Sequence, residues 1–309
     1  MNYPKVSIIV PTYNRVSMLS ACLDSIIAQN YPNLEIVVTD DNSTDDTKQC
    51  VKLYIQKYPW IRYVKNTRYP SGPNGNKNNG LDHATGEIIG IFDDDDTMVE
   101  DVLKMMVDKI EEGYDIVMGN CRIVSIRRDN GTFSGKGLTQ SGEVNWRDYL
   151  CGKIYGEYWS LFKKELLGEK RFDTDLYGGE GTLWRGMLKE AKIFYFHQAV
   201  RNYTIGGHGN ISDKMVKKAS IVIKNYERDI LYHGDEMKRN CPCYLATIYK
   251  GAAYYAKLSS QYTKGFCYIA KSIVLCPRYF APYLMFAVMF LPKKIIPILS
   301  DIRIKLFHD

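Results

Sequence analysis

Through residue 112 of this 309-residue chain, short aliphatic runs alternate with amphipathic segments, and that alternation leaves few folds open. Residues 6–10 are β-branched at every position but Ser7, the mark of a strand buried on both faces. After Pro11, Thr12, Tyr13 and Asn14 comes a helical spacing with Leu19, Cys22, Leu23, Ile26 and Ile27 on one side. Residues 34–38 repeat the buried-strand pattern. Ser43, Thr44, Asp45 and Asp46 then supply N-cap and first-turn acidic residues for a helix ending near Lys57. Residues 61–64 predict a third strand, 71–75 a Gly/Asn/Pro-rich loop leading into a short helix, and 87–92 a fourth strand that ends in four aspartates. A helix over about 99–112 closes the unit. Strand and helix in alternation with short connections predict an α/β fold with a doubly wound, mostly parallel sheet.

Beyond Asp115 the pattern changes. Residues 116–126 predict a strand, Asn130-Gly131 a hairpin turn, and 155–162 and 193–196 further strands around a helical stretch with Leu183, Trp184, Met187 and Leu188. From about Ser212 the pattern is helical to the end. The expected division is a catalytic domain over 1–212, made of halves 1–112 and 113–212, and a helical C-terminal region over 213–309.

A net charge of +6 without dense Lys/Arg blocks excludes nucleic acid from the expected partners and fits an anionic ligand or an anionic membrane surface. The 8 cysteines show no zinc-ligand spacing, so free thiols in a reducing cytoplasm are expected. The polar first residues run straight into a strand and do not resemble a signal peptide. The longest apolar stretch, 279–291, contains Pro282 and is shorter than the roughly 20 residues a membrane-spanning helix needs.

In an open parallel sheet, ligands sit beyond the carboxyl ends of the strands. Three such ends carry polar clusters here: Pro11-Thr12-Tyr13, Asp40-Asp41-Asn42, and Asp93 to Asp96. A solvated loop accounts for one cluster and poorly for all three. Four adjacent carboxylates repel each other unless a cation neutralises them, and hard oxygen ligands suit Mg²⁺ or Mn²⁺. For Asp96 the alternative is capping of the following helix. Asp40 and Asp41 are placed to accept an N–H from a nucleobase, with helix capping as the competing role. The polar run Asn76-Lys77-Asn78-Asn79-Gly80 lies between two of these strand ends, where a cation and amides suit a base or a diphosphate.

The segments VSIIVPTYNR (6–15), EIVVTDDNSTDDT (35–47) and GLDHATGEIIGIFDDDD (80–96) resemble, in the same order, three motifs of the family 2 inverting glycosyltransferases. The resemblance is specific over about 5–105 and thins beyond, although 159–167 and 171–212 still look like the family's acceptor half. It implies the GT-A fold, with a Rossmann-like nucleotide-binding half, an acceptor half and a helical C-terminal extension. It implies transfer of a sugar with inversion from a nucleotide diphosphate donor, a UDP-sugar by analogy, to a glycan or lipid-linked glycan acceptor in cell-surface polysaccharide synthesis. Pro11, Thr12, Tyr13, Asp40, Asp41, Lys77, Asp93 and Asp94 would contact the donor, and Asp95 would hold Mn²⁺ or Mg²⁺. Lys77 stands where the family usually has arginine; it keeps the charge and loses the bidentate fork. Residues 203–212 are similar to a later family segment, implying that His208 approaches the diphosphate and metal.

One departure is at Glu180-Gly181, where the family commonly reads Glu-Asp and the aspartate is the general base. Glu180 is then the nearest candidate base, with Asp175 a weaker one. The alternative is a protein of the same fold that binds sugar nucleotide, or serves as a scaffold, without turning it over. A nucleotidyltransferase is disfavoured because no basic Gly-rich loop follows the first strand, and a dehydrogenase because no G-x-G-x-x-G does. Within 279–309, Lys293, Lys294, Arg303 and Lys305 alternate with aliphatic residues, which suits either peripheral contact with the inner face of the cell membrane or an ordinary packed amphipathic helix.

Overall fold

A computed structural model describes residues 3–125, 129–176, 178–205 and 218–292. The chain divides into two compact units, Met1–Thr174 with Leu183–His208, and Asp175–Thr182 with Gly209–Asp309.

In the first unit the elements run β1 (Val6–Thr12), α1 (Val16–Ile27), β2 (Leu34–Asp40), α2 (Thr47–Lys57), β3 (Ile61–Lys65), α3 (Pro73–His83), β4 (Ile88–Ile91), β5 (Thr97–Met98) and α4 (Val102–Glu111). There follow β6 (Ile116–Ser125), β7 (Asp129–Phe133), β8 (Gly142–Val144), α5 (Trp146–Leu150), β9 (Tyr158–Lys163), α6 (Gly181–Leu188), which begins in the second unit, and β10 (Ile193–Ile205). Among the described residues one sheet runs in the order β3-β2-β1-β4-β9-β6-β10-β5, with β7 on β6 and β8 on β10. β1 pairs parallel with β2 and β4, β2 with β3, and β6 with β10. β9 lies antiparallel between β4 and β6, joining the strands β1–β4 to the rest of the sheet.

The strands carry the core. Val6, Ile8 and Val10 of β1 face one layer with Leu19, Leu23 and Ile26 of α1, while Ile9 faces the other with Val37, Leu81 and Ile89. Because both faces are covered, the middle residues of β1 (8–10) and β2 (36–38) are buried and apolar on both sides, as parallel strands require.

Several boundaries differ from the sequence expectation. The loop expected at 71–75 is half helix, because Pro73 starts α3 with its φ preset and its missing N–H harmless at that position. Asn130 and Gly131 fall inside β7 rather than at a turn; Gly131 has φ +57°, and the β6–β7 register is irregular between Arg122 and Val124. There glycine serves a bulge-type irregularity. α4 begins at Val102, after Asp101 in the left-handed region, and not near Val99.

The second unit contains α7 (Ala219–Asn240), α8 (Pro242–Leu258), α9 (Tyr262–Leu275) and α10 (Ala281–Val288). α8 packs against α7 and α9, and α10 against α8 and α9. Ala253, Ile269, Met285 and Met289 form a small core there. Cys243 and Cys276 are joined by a disulfide, which corrects the expectation of free thiols throughout. The sequence hides this pair because 33 residues separate cysteines that α8 and α9 bring together. Cys22, Cys50, Cys121 and Cys267 are free. No helix among the described residues is long and apolar enough to cross a membrane.

Candidate active site

The first unit brings the carboxyl ends of β1, β2 and β4 side by side, and α3 packs across β1, β2 and β3. Gly80 permits that approach, since a Cβ there would lie 2.3 Å from Ile9 Cγ2. α3 is polar yet buried because its amides bond the strand ends. Asn76 donates to the carbonyls of Thr12 (3.1 Å) and Thr39 (2.8 Å) and accepts from Thr39 Oγ1 (2.7 Å). Asn79 donates to Thr39 Oγ1 (2.9 Å). Asn78 pairs with both the N–H and the carbonyl of Phe172 at 2.9 Å. Lys77 is thereby held at the site, buried, with Nζ 3.6 Å from Asp93 Oδ1.

Pro11 and Thr12 end β1, and Tyr13 just beyond is exposed. The Asp41 N–H donates to the Thr12 carbonyl (3.0 Å), so the two polar strand ends meet. The Asp40 carboxylate accepts from the Ser43 N–H (3.0 Å), the Ser43 hydroxyl and the Tyr63 hydroxyl. Asp41 accepts from Asn66 Nδ2 (2.8 Å) and the Gly72 N–H (2.7 Å). Both carboxylates thus hold the loops that follow β2, and Asp45, not Asp40 or Asp41, accepts from the Thr47 N–H at the start of α2 (3.1 Å).

The four aspartates follow β4 and Phe92 and have unequal surroundings. Asp93 is 38% exposed at its side chain and lies between Lys77 and Arg201 Nη1 (3.4 Å). Withdrawal from water raises its pKa, but Lys77 and Arg201 outweigh that and hold it below the ordinary value. Asp94 is buried and pushed up to about 6 by desolvation, against the Thr12 hydroxyl and the Arg15 charge. Asp95, 19% exposed, is raised by desolvation despite Arg15, with Asp93 adding to the rise. Asp96 is buried and pushed up to about 7 by desolvation, against Arg201 (Nε 2.9 Å) and the Thr204 N–H (2.7 Å).

The outward-reaching carboxylates are therefore Asp93 and Asp95, two residues apart. Among the described residues no three His, Cys, Asp or Glu side chains are placed to hold a metal ion. An Mg²⁺-type ion needs only one or two carboxylates when substrate phosphates complete its shell, and Asp95 with Asp93 fits that requirement.

Two cations escaped the sequence reading. Arg15 lies in the first motif, but nothing local shows that it pairs with Asp94 (3.0 Å) and Asp95 (2.8 Å). Arg201 is buried by the long β10, whose length was underestimated, and its partners Asp93 and Asp96 are more than a hundred residues away. Glu180 immediately precedes α6 and belongs to the second unit, with Gly181 as the first helical residue. Asp175, in the same unit, is ion-paired with Arg228 (3.1 Å). His208 lies outside the described residues.

Known proteins carry the same pattern. The profile of glycosyl transferase family 2 matches residues 7–170. The GalNAc(5)-diNAcBac-PP-undecaprenol β-1,3-glucosyltransferase of Campylobacter jejuni subsp. jejuni serotype O:2 is 40% identical over 312 residues, covering 98% of this chain and 99% of that protein. WfgD of Escherichia coli, a UDP-Glc:α-D-GlcNAc-diphosphoundecaprenol β-1,3-glucosyltransferase, is 32% identical over 189 residues, covering 61% of this chain and 71% of its own. The solved structure of S. aureus TarS 1–349 in complex with UDP-GlcNAc matches with a TM-score of 0.61 at 19% identity, over 89% of this chain and 93% of that one. That likeness gives the same GT-A fold. With its motifs at the ends of β1, β2 and β4, the chain belongs to glycosyl transferase family 2 and transfers a sugar from a nucleotide-sugar donor.

Proposed function

We propose that this glycosyltransferase moves glucose from UDP-glucose, with inversion, onto a hydroxyl of a lipid-diphosphate-linked glycan. The observation that carries the donor half is the convergence of Thr12, Asp41, Lys77 and the outward carboxylates Asp93 and Asp95 at neighbouring strand ends. The sugar and the lipid-linked acceptor are supported by the relatives, above all the Campylobacter glucosyltransferase that matches this chain end to end.

In this reading Thr12, Asp40 and Asp41 border the nucleobase, and Asp93, Asp94 and Lys77 border the diphosphate. Asp95 would hold Mn²⁺ or Mg²⁺, and the family resemblance adds His208, which lies outside the described residues. Bound there, a divalent cation would supply Lewis-acid stabilisation of the charge that develops on the departing diphosphate. Lys77 adds a fixed positive charge beside it, already oriented before reaction. Glu180 accepts the proton of the acceptor hydroxyl as its oxygen bonds the anomeric carbon from the face opposite the leaving group. The bond from that carbon to the diphosphate oxygen breaks, and UDP leaves with the electron pair.

The acceptor's lipid calls for a membrane surface, and the exposed apolar side of α10, followed in sequence by Lys293 and Lys294, supports peripheral contact through 279–309 at the cytoplasmic face. The donor half is tested by calorimetric titration with UDP, GDP, CDP and dTDP, each with Mn²⁺ and again with EDTA. Binding of UDP that disappears in EDTA is expected. Absence of binding by any diphosphate would overturn the donor site.

A further inference from the structure

Arg15 occupies the N-cap position of α1 and makes no capping hydrogen bond with its side chain. A cation is poorly placed at a helix N-terminus, where the macrodipole is positive, so the helix does not account for it. Its Nη1 bridges two carboxylates instead, at 3.0 Å from Asp94 Oδ1 and 2.8 Å from Asp95 Oδ2. Among the described residues, the other two cations facing the aspartate run are engaged: Lys77 with Asp93, and Arg201 with Asp93 and Asp96. Both are almost wholly buried, whereas the Arg15 side chain is 31% exposed. Arg15 is thus the most exposed of the three and the one that neutralises the outward carboxylate Asp95.

We propose that Arg15 makes cation binding at Asp95 conditional on the donor, by holding that carboxylate neutralised until a nucleoside diphosphate supplies compensating negative charge. This rests on the metal assignment to Asp95 made above and concerns its regulation. A divalent ion alone must take Asp95 beside a guanidinium, and in a partly desolvated site like charges repel strongly. When diphosphate enters with the ion, its charge offsets both cations, and Arg15 is free to turn from Asp95 toward phosphate oxygens. Coupling of this kind is reciprocal: whatever the diphosphate adds to metal affinity, the metal adds to diphosphate affinity. The consequence is ordered loading, in which free metal does not occupy the site without donor.

The test is a binding cycle on the full chain: Mn²⁺ alone, UDP alone, and each in the presence of the other, by calorimetry and by Mn²⁺ electron paramagnetic resonance. In Arg15→Met, affinity for Mn²⁺ alone should rise about tenfold and the coupling between Mn²⁺ and UDP should shrink by a similar factor. Arg15→Lys keeps the charge and should retain most of the coupling, which also covers the case in which the methionine variant does not fold. Unchanged or weaker Mn²⁺ binding in Arg15→Met would overturn the proposal, because Arg15 would then be a bystander or would orient Asp95 for the metal. So would loss of coupling in a folded Arg15→Lys. Failure of the unaltered protein to bind UDP with Mn²⁺ would instead refute the donor site itself, so the two failures are separable.

Discussion

Glu180 is the residue on which the proposed chemistry turns, and Gly181 beside it removes the carboxylate more usual for the role. Asp175 is the other acid near by in sequence, but its carboxylate is already engaged by Arg228 at 3.1 Å, with Lys224 at 3.9 Å. Glu180→Gln is therefore expected to lower kcat by about 10²- to 10⁴-fold while leaving UDP affinity within twofold. Steady-state turnover alongside UDP titration checks this, and full turnover in that variant would move the base elsewhere. At this scale the sequence was informative wherever a residue's neighbours in the chain are also its neighbours in space. Thr12, Asp40, Asp41 and the four aspartates stand at strand ends that their own flanking residues predict. Arg201 was not legible, since its meaning depends on a strand pairing that brings Asn202 opposite Thr97.

Among the elements, α3 shows most clearly what patterning misses. A helix with buried Asn74, Asn76, Lys77, Asn78 and Asn79 has no apolar periodicity to detect, because most of its inward face hydrogen-bonds strand-end backbone and the Thr39 hydroxyl, with Leu81 alone adding an apolar side chain to the core. The strands were legible for the opposite reason, as β-branched runs buried on both faces. At the other end of β1 and β2, Glu35 is a buried carboxylate that ties three segments together. It accepts from Ser7 Oγ, from the Thr85 N–H (2.8 Å) and hydroxyl (2.9 Å), and faces Arg62 at 3.3 Å and Lys5 at 3.6 Å. Burial raises its pKa, and the Ser7 and Thr85 hydrogen bonds outweigh that, leaving it below the ordinary glutamate value. With the folded value depressed, the unfolded chain binds more protons between the two values. The stabilisation is therefore complete above the ordinary value of about 4.3 and is lost as pH falls through the folded one. Glu35→Gln should cost on the order of 1.5–3 kcal/mol near neutral pH. The gap between variant and unaltered protein should narrow below about pH 4. Thermal melts across pH measure that gap; one that stays constant with pH would show that the carboxylate's charge contributes nothing.

At the scale of the whole molecule, each unit has its own core, and the helical unit leaves part of its surface apolar. Phe280 (67% exposed), Leu284 and Phe290 (71% exposed) show large side chains to solvent, while Phe286 is shared with Phe266 and Phe290 in an aromatic cluster. A helix of 8 residues is about 12 Å long, so α10 suits lying in a membrane interface rather than crossing it. The basic residues Lys293, Lys294, Arg303 and Lys305 follow outside the described residues and match the sign of an anionic lipid headgroup. Such a surface would also keep the enzyme where lipid-linked acceptors reside. Flotation with vesicles of phosphatidylglycerol and phosphatidylethanolamine should carry the full chain upward, and neutral phosphatidylcholine vesicles should carry much less. Substituting Phe280, Leu284 and Phe290 together by serine removes exposed apolar area without opening the small core around Ile269 and Met285, and should abolish flotation while leaving UDP binding intact. If those substitutions leave flotation unchanged, lipid contact lies elsewhere. If they instead convert a dimer to a monomer in sizing experiments, the apolar side of α10 is a contact between copies of the chain, and the proposed lipid-linked acceptor must be reached by another surface.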